Sequence, residues 1–317
     1  MSTMVEPELD SAVTSNSESV SRIRSLMAAC RLGFTWFGTS KSLSDEQKAI
    51  VALSFGADQE VLSAGKRLLC TKHPAYKQVN SIKSRITAYW KGETLPFPHS
   101  GIRLIRQGDV EQFNNRLHTF QEELTESVEE LDRVYTQLKD SARQRLGELF
   151  DPSDYPESLN GLFSVNWDFP SVEVPDYLRR LKPELYRQEA DRVARRFDQA
   201  LEMAESAFME EFQQLIDHLT ERLAGNEDGK PKVFRDTAVT NLTSFFERFR
   251  RLNIRSNEEL DSLVNACQQV VNGRTPQALR DNQSIRDSVA GDLQQIGNQL
   301  DQLLVDRPRR NLIRKAR

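Results

Sequence analysis

The most constraining feature of this sequence is a long, regular run of apolar residues in its middle. From Val110 to Leu149 such residues recur at a mean spacing of about 3.5, the heptad period of a left-handed coiled coil. The stripe consists of Val110, Phe113, Leu117, Phe120, Leu124, Val128, Leu131, Tyr135, Leu138, Ala142, Leu146 and Leu149. The run contains no proline, and its first glycine is Gly147. The pattern predicts a helix roughly 60 Å long.

A second apolar stripe follows within residues 178–224. Its members are Val193, Phe197, Leu201, Ala204, Phe208, Phe212, Leu215, Leu219 and Leu223. Their mean spacing of about 3.75 exceeds the heptad value and disfavours tight supercoiling. Two helices of similar length joined by one connector are expected to pair as an αα-hairpin. The predicted fold is mostly α: an elongated, coiled-coil-like antiparallel helical hairpin with a small β-containing cap and additional C-terminal helices.

The connector between the two stripes, residues 150–177, is rich in aromatic side chains. Its apolar positions alternate with polar ones at Phe163, Val165, Trp167 and Phe169. This alternation predicts a half-buried strand, which Pro170 prevents from extending further. We expect the strand to pair with residues 30–38 or 102–106, which also have strand composition.

The aromatic residues of this region admit two interpretations. The residues concerned are Trp36, Phe163, Trp167 and Phe169. They could form a small core that caps one end of the hairpin, which is the commoner arrangement. Alternatively, they could form an exposed tip that docks on a partner protein.

Shorter elements are predicted on either side of the stripes. Ser44 and Gln47 form a capping box for a helix that ends near Gly56. Further helices are predicted at 58–70, from Pro74 to about Trp90, at 234–252, from Ser256 to before Gly273, and from Thr275-Pro276 to Asp306. The resulting segments are a disordered acidic tail (1–20), a strand-plus-helices region (21–107), the hairpin (108–225) with its linker (150–177), C-terminal helices (232–306) and a basic tail (307–317).

Charge and cysteine content narrow the partners and the compartment. The net charge is -4, but the end of the chain is basic through Arg307, Arg309, Arg310, Arg314, Lys315 and Arg317. This tail, the arginine-rich stretch 179–196 and the segment Phe246-Glu247-Arg248-Phe249-Arg250-Arg251 are the candidate nucleic-acid contacts. For the internal stretches, ion pairing within the chain is the favoured alternative. Three widely separated cysteines suit a reducing compartment. With neither a membrane-length apolar run nor a signal peptide, we expect a cytoplasmic protein.

Catalytic and ligand-binding motifs are not evident. Gly65-Lys66 resembles the end of a phosphate-binding loop, but Arg67 stands where the loop requires Ser or Thr. His118 and Glu122 lie one helical turn apart, which is too few ligands for a zinc or di-iron site. We therefore expect no enzymatic activity, no cofactor and no metal.

The order of these features resembles a family of unknown function from bacteriophages and bacteria, domain of unknown function 3150. The resemblance covers roughly residues 25–225. It is carried by Phe34-Thr35-Trp36, Phe113-Asn114, Phe120, Tyr155-Pro156, Phe163-Ser164-Val165 and Pro175. Genes of that family often neighbour those of a MoxR-type AAA ATPase and a von Willebrand factor A (CobT-like) protein. The resemblance therefore implies an adaptor or partner of a remodelling ATPase in a phage or mobile-element system.

Two functional hypotheses follow. The leading one is a non-enzymatic interaction protein, and the runner-up is a nucleic-acid-associated protein that uses the basic stretch and tail. Self-association stays open under both.

Overall fold

The computed structural model describes residues 23–223, 236–253 and 257–306. The expectation of a mostly α protein is confirmed, and its β structure is a small sheet. The predicted tails, 1–20 and 307–317, lie outside the described residues. The chain divides into two compact units, each built from separated segments. Unit 1 takes its described residues from Met1–Ala29, Glu93–Gln107 and Pro170–Arg317, and unit 2 comprises Cys30–Gly92 and Gly108–Phe169.

Unit 2 contains most of the strands and the first apolar stripe. Its elements are β1 (Met27–Thr35, from Cys30 onward), β2 (Ser40–Ser42), α1 (Asp45–Phe55), a 3-10 turn (Gln59–Val61), β3 (Gly65–Arg67), α2 (Pro74–Glu93), α3 (Val110–Arg133), α4 (Tyr135–Leu146) and β6 (Ser164–Asp168). The predicted capping box is present, since Ser44 and Gln47 exchange side-chain and backbone hydrogen bonds. Gly56 ends α1 in the left-handed conformation at φ 60°, which glycine adopts without strain.

The first stripe forms much of the core of unit 2. Phe113, Leu117 and Leu131 on α3 are fully buried. Tyr89 of α2 stacks on Phe113 with ring centroids 5.4 Å apart, and it lies 5.7 Å from Phe120. The predicted single helix is interrupted at Val134 between α3 and α4, and its last three residues, Gly147–Leu149, form a 3-10 turn.

The linker prediction is confirmed: β6 pairs antiparallel with β1. The register runs from Arg31 opposite Asp168 to Thr35 opposite Ser164. Gly33 faces Asn166, and a Cβ at Gly33 would lie 2.2 Å from the Asn166 Oδ1 atom. The strand pair therefore uses a glycine where the opposing side chain approaches the backbone.

The prediction of a helix at 58–70 is wrong. Only Gln59–Val61 forms a helical turn, and Gly65–Arg67 pairs with Ser40–Ser42 as a two-stranded sheet. A glycine at position 65 weakens helix propensity. The hairpin supplies backbone partners instead, including the 3.1 Å bond from the Leu43 amide to the Ala64 carbonyl.

Unit 1 is mainly helical. Its elements are the start of β1, β4 (Thr94–Pro96), β5 (Ile102–Arg106), α5 (Tyr177–Leu181), α6 (Pro183–Leu223), α7 (Thr237–Leu252), α8 (Glu258–Val271), α9 (Pro276–Asp281) and α10 (Gln283–Asp306). β4 pairs antiparallel with β5. The second predicted long helix is interrupted at Lys182, because a residue before proline avoids the α conformation. The helix predicted from Pro276 is also divided, at Asn282, whose side chain accepts a hydrogen bond from the Ile285 amide and so caps α10.

The second stripe is buried against helices of unit 1. α6 packs along α10 and α7. Phe212 stacks on Phe245 at 5.2 Å, and Phe208 meets Phe249 edge-on at 5.1 Å. Both stripes thus find partners within their own units. The pairing of 110–149 with 178–224 as one elongated hairpin stays a prediction.

Candidate docking surfaces

The aromatic residues at the β1–β6 pair are packed against each other and against α2. Trp36 donates from Nε1 to the Asn80 Oδ1 atom at 3.1 Å. Its ring meets Phe163 edge-on at 5.0 Å, and the Lys83 ammonium lies 4.5 Å above it. Phe163 is 6% exposed, so its ring is out of a partner's reach in this structure.

Trp167 lies against α3. Its Nε1 donates to the Asn114 Oδ1 atom at 2.8 Å, and the His118 ring meets the indole edge-on at 5.0 Å. Trp167 is half-buried, whereas Phe169 is 38% exposed. Of the four aromatic residues singled out in the sequence, Phe169 is therefore the most accessible to a partner.

A larger set of exposed apolar side chains lies on α1 and the 3-10 turn after it, where the sequence had not indicated one. The side chains concerned, here called the α1 apolar surface, are Ile50 (65% exposed), Leu53 (82%), Phe55 (81%) and Val61 (80%). Isolated exposed apolar residues are ordinary, but clusters mark interaction sites. Ala52 is the one residue of α1 that is buried. The sequence signal that could have revealed these exposed side chains was the run from Ala49 to Phe55. Its apolar residues lie on every side of the helix, so they cannot all face one core.

Hydrogen bonds hold the α1 segment in a closed loop. Gln59 donates from Nε2 to the Asp45 carbonyl at 2.9 Å, which places the 3-10 turn beside the first turn of α1. The bond from Leu43 to Ala64 joins the two ends of the loop. The α1 apolar surface thus stands on a folded support.

Acidic side chains accompany this surface. Asp45, Glu46, Asp58 and Glu60 are all exposed. Asp58 caps the 3-10 turn by accepting a hydrogen bond from the Glu60 amide. The one base within residues 44–61 is Lys48, whose ammonium lies 3.5 Å from Asp45. The local balance is therefore negative.

A buried ion cluster ties the strands that flank α1 to the chain beyond α4. Asp154, with 1% of its side chain exposed, pairs with Lys41 of β2 and with Lys66 of β3. Lys66 is 5% exposed and also donates to the Leu149 carbonyl at 2.7 Å. Burial alone would raise the pKa of Asp154, but the hydrogen bonds from Lys41 and Lys66 outweigh it and lower that pKa. Lys66, which the sequence analysis did not assign to a phosphate-binding loop, is thus part of a structural ion pair.

The basic stretch 179–196 is mostly exposed. Arg179, Arg180, Lys182 and Arg187 are open to solvent, and Arg192 pairs with Glu189. The tail residues Arg307, Arg309, Arg310, Arg314, Lys315 and Arg317 lie outside the described residues, so their part in a polyanion site stays a prediction.

The histidines and cysteines are not gathered into a site in the part of the chain that the structure describes. His118 packs on Trp167, and no group of three His, Cys, Asp or Glu side chains able to hold a metal occurs there. Burial raises the pKa of Cys30 to about 11 and that of Cys267 to about 12. Hydrogen bonding from the Lys72 backbone lowers the pKa of Cys70.

Within the described ranges, none of the helices has the length and apolar character that crossing a bilayer requires. Comparison of the chain with protein families, with curated proteins and with solved structures finds no match.

Proposed function

We propose that this chain is a non-enzymatic interaction protein that docks a partner protein on the α1 apolar surface. The observation that carries the proposal is the exposure of Ile50, Leu53, Phe55 and Val61 within one closed loop. The hairpin predicted from the sequence is not required for this function and stays a prediction.

The energetics of the surface favour a partner over solvent. Burying a leucine or phenylalanine side chain contributes roughly 1.5–3 kcal/mol relative to leaving it exposed. Covering Ile50 and Leu53, which are neighbours on one side of α1, would therefore contribute several kcal/mol, against which the cost of association must be set. Because the loop is already closed by backbone and side-chain hydrogen bonds, little further ordering is needed on this side of the interface.

The sequence resemblance indicates which partners to test first. It implies a MoxR-type AAA ATPase and a von Willebrand factor A protein, acting together in the cytoplasm of a bacterium or a phage-infected cell. The chain would then serve as an adaptor that brings a client or a second component to the ATPase.

Nucleic-acid association is the second candidate. The observation that favours it is the exposure of Arg179, Arg180, Lys182 and Arg187 along α5 and the start of α6. Binding of this kind would weaken steeply with added salt, because each neutralised phosphate releases counterions. Since acids such as Glu184 and Asp191 interrupt the stretch, we expect no tight DNA binding at physiological salt.

The proposal is tested by binding measurements between the purified full chain and a purified MoxR-type AAA ATPase or von Willebrand factor A protein from the same host. Leu53→Ser should weaken binding by roughly tenfold or more, since an exposed leucine at an interface centre carries much of its energy. Leu181→Ser is the matched control, because Leu181 is 72% exposed on a helix of unit 1. Equal effects of the two variants, or none from Leu53→Ser, would refute docking on α1.

A further inference from the structure

We infer that the occupant of the α1 apolar surface is a partner segment in which apolar side chains are flanked by lysine or arginine. The inference rests on the proposed function and adds the chemistry of the partner. Its basis is the placement of exposed acids around exposed apolar residues within one closed loop.

The acids are gathered at one end of the surface. Asp45 and Glu46 occupy the first turn of α1, and the hydrogen bond from Gln59 to the Asp45 carbonyl brings the 3-10 turn alongside. Asp58 and Glu60 on either side of Gln59 therefore lie near that same end. The exposed apolar side chains Ile50, Leu53 and Phe55 occupy the rest of the helix.

This arrangement selects for positive charge at one end of the partner. A lysine or arginine there would be attracted by these exposed acids, while a carboxylate would be repelled. Ile50 and Leu53 stand three residues apart and so are neighbours along one side of the helix. A segment with apolar side chains at similar spacing would cover both.

Pairing of α1 with the α1 helix of a second copy suits the surface poorly. Residues 49–57 of α1 and the turn after it contain no base. If two α1 helices paired antiparallel, the acidic end of each would meet an uncharged end, and if they paired parallel the acids would face each other. Neither pairing compensates the charge of Glu46 and its neighbours.

The test uses the full chain and two fluorescently labelled synthetic helical peptides, followed by fluorescence anisotropy. Both peptides carry leucines on one face; one has lysines at its ends and the other has glutamates. Protein variants are Glu46→Gln combined with Glu60→Gln, and, as a control on exposed acids of α3, Glu126→Gln combined with Glu129→Gln. Leu53→Ser removes the apolar contact itself.

We expect the lysine peptide to bind roughly tenfold more tightly than the glutamate peptide, because the exposed acids attract the lysines and repel the glutamates. The Glu46/Glu60 variant should lose most of that preference, and the Glu126/Glu129 variant should keep it. Added salt should narrow the difference.

Two outcomes would overturn the inference. One is equal binding of the two peptides, with Leu53→Ser abolishing the binding of both. That result would leave docking on α1 standing but remove the charge selection. The other is concentration-dependent self-association that Leu53→Ser abolishes, with no binding of the lysine peptide, which would make a second copy the occupant. If Leu53→Ser left binding of the ATPase or von Willebrand factor A protein unchanged, that result would instead count against the proposed function itself.

Discussion

Replacing Asp154 by alanine should destabilise unit 2 strongly, because it leaves a buried ammonium without its counter-ion. Breaking a buried ion pair by removing one partner costs about 3–5 kcal/mol. Lys66, 5% exposed, would keep its bond to the Leu149 carbonyl. We therefore expect the lower end of that range, about 3 kcal/mol, and a fall in Tm of roughly 10 °C.

Intrinsic fluorescence can follow this change in unit 2 specifically. All three tryptophans of the chain, Trp36, Trp90 and Trp167, belong to unit 2. Urea denaturation monitored by tryptophan emission would give the free energy of unfolding for the wild type and the variant. Lys41→Ala is the matched control: its ammonium pairs with the same carboxylate, but its side chain is 56% exposed, and its loss should matter much less.

The double variant Asp154→Leu with Lys66→Met separates ion pairing from packing. Replacing a buried pair by apolar residues of similar size is often neutral or stabilising. The double variant should therefore recover most of the stability that Asp154→Ala loses. If Asp154→Ala and Lys41→Ala cost the same, or if the double variant is the least stable, the buried pair does not anchor β2 and β3 as described.

Two further predictions concern unit 2. The part of its stability that the Asp154 carboxylate contributes should be lost as the pH falls below about 4. The ordinary pKa of an aspartate is 3.8 and that of Asp154 is lower, so this contribution is complete above 3.8 and disappears as the pH passes through the lowered value. The difference in free energy of unfolding between the wild type and Asp154→Ala, followed as the pH is lowered, isolates this contribution. A difference that stays constant with pH would contradict it. Trp167→Phe should cost about 1 kcal/mol through loss of the bond to Asn114, and Trp167→Ala about 2–3 kcal/mol; urea titrations would measure both, and a neutral Trp167→Ala would contradict a packed indole.

Local signals in the sequence predicted the elements that short-range chemistry determines. Ser44 and Gln47 marked the start of α1, and the alternation around Val165 marked β6. The break at Lys182 could also have been predicted, since Pro183 follows it. By contrast, strands of three residues such as β2 and β3 carry too short a pattern for periodicity to detect.

Which surfaces the stripes bury against could not be predicted from the sequence. The stripe that contains Phe208 and Phe212 could pack against any apolar neighbour. In the structure it packs on Phe245 and Phe249 of α7. The same limit hid the α1 apolar surface. The helix itself was predicted correctly. Which of its side chains stay exposed depends on how much of the helix the rest of unit 2 covers, and Ala52 is the one residue of α1 that is buried.

The central claim is that partners dock on α1, and hydrogen–deuterium exchange of the full chain tests it most directly. Exchange would be compared with and without the partner protein, or with the lysine peptide in its place. Docking on α1 should slow exchange in peptides that cover residues 45–61, with no such slowing in Leu53→Ser. Protection confined to residues 163–169 or 179–196, with 45–61 unchanged, would contradict it.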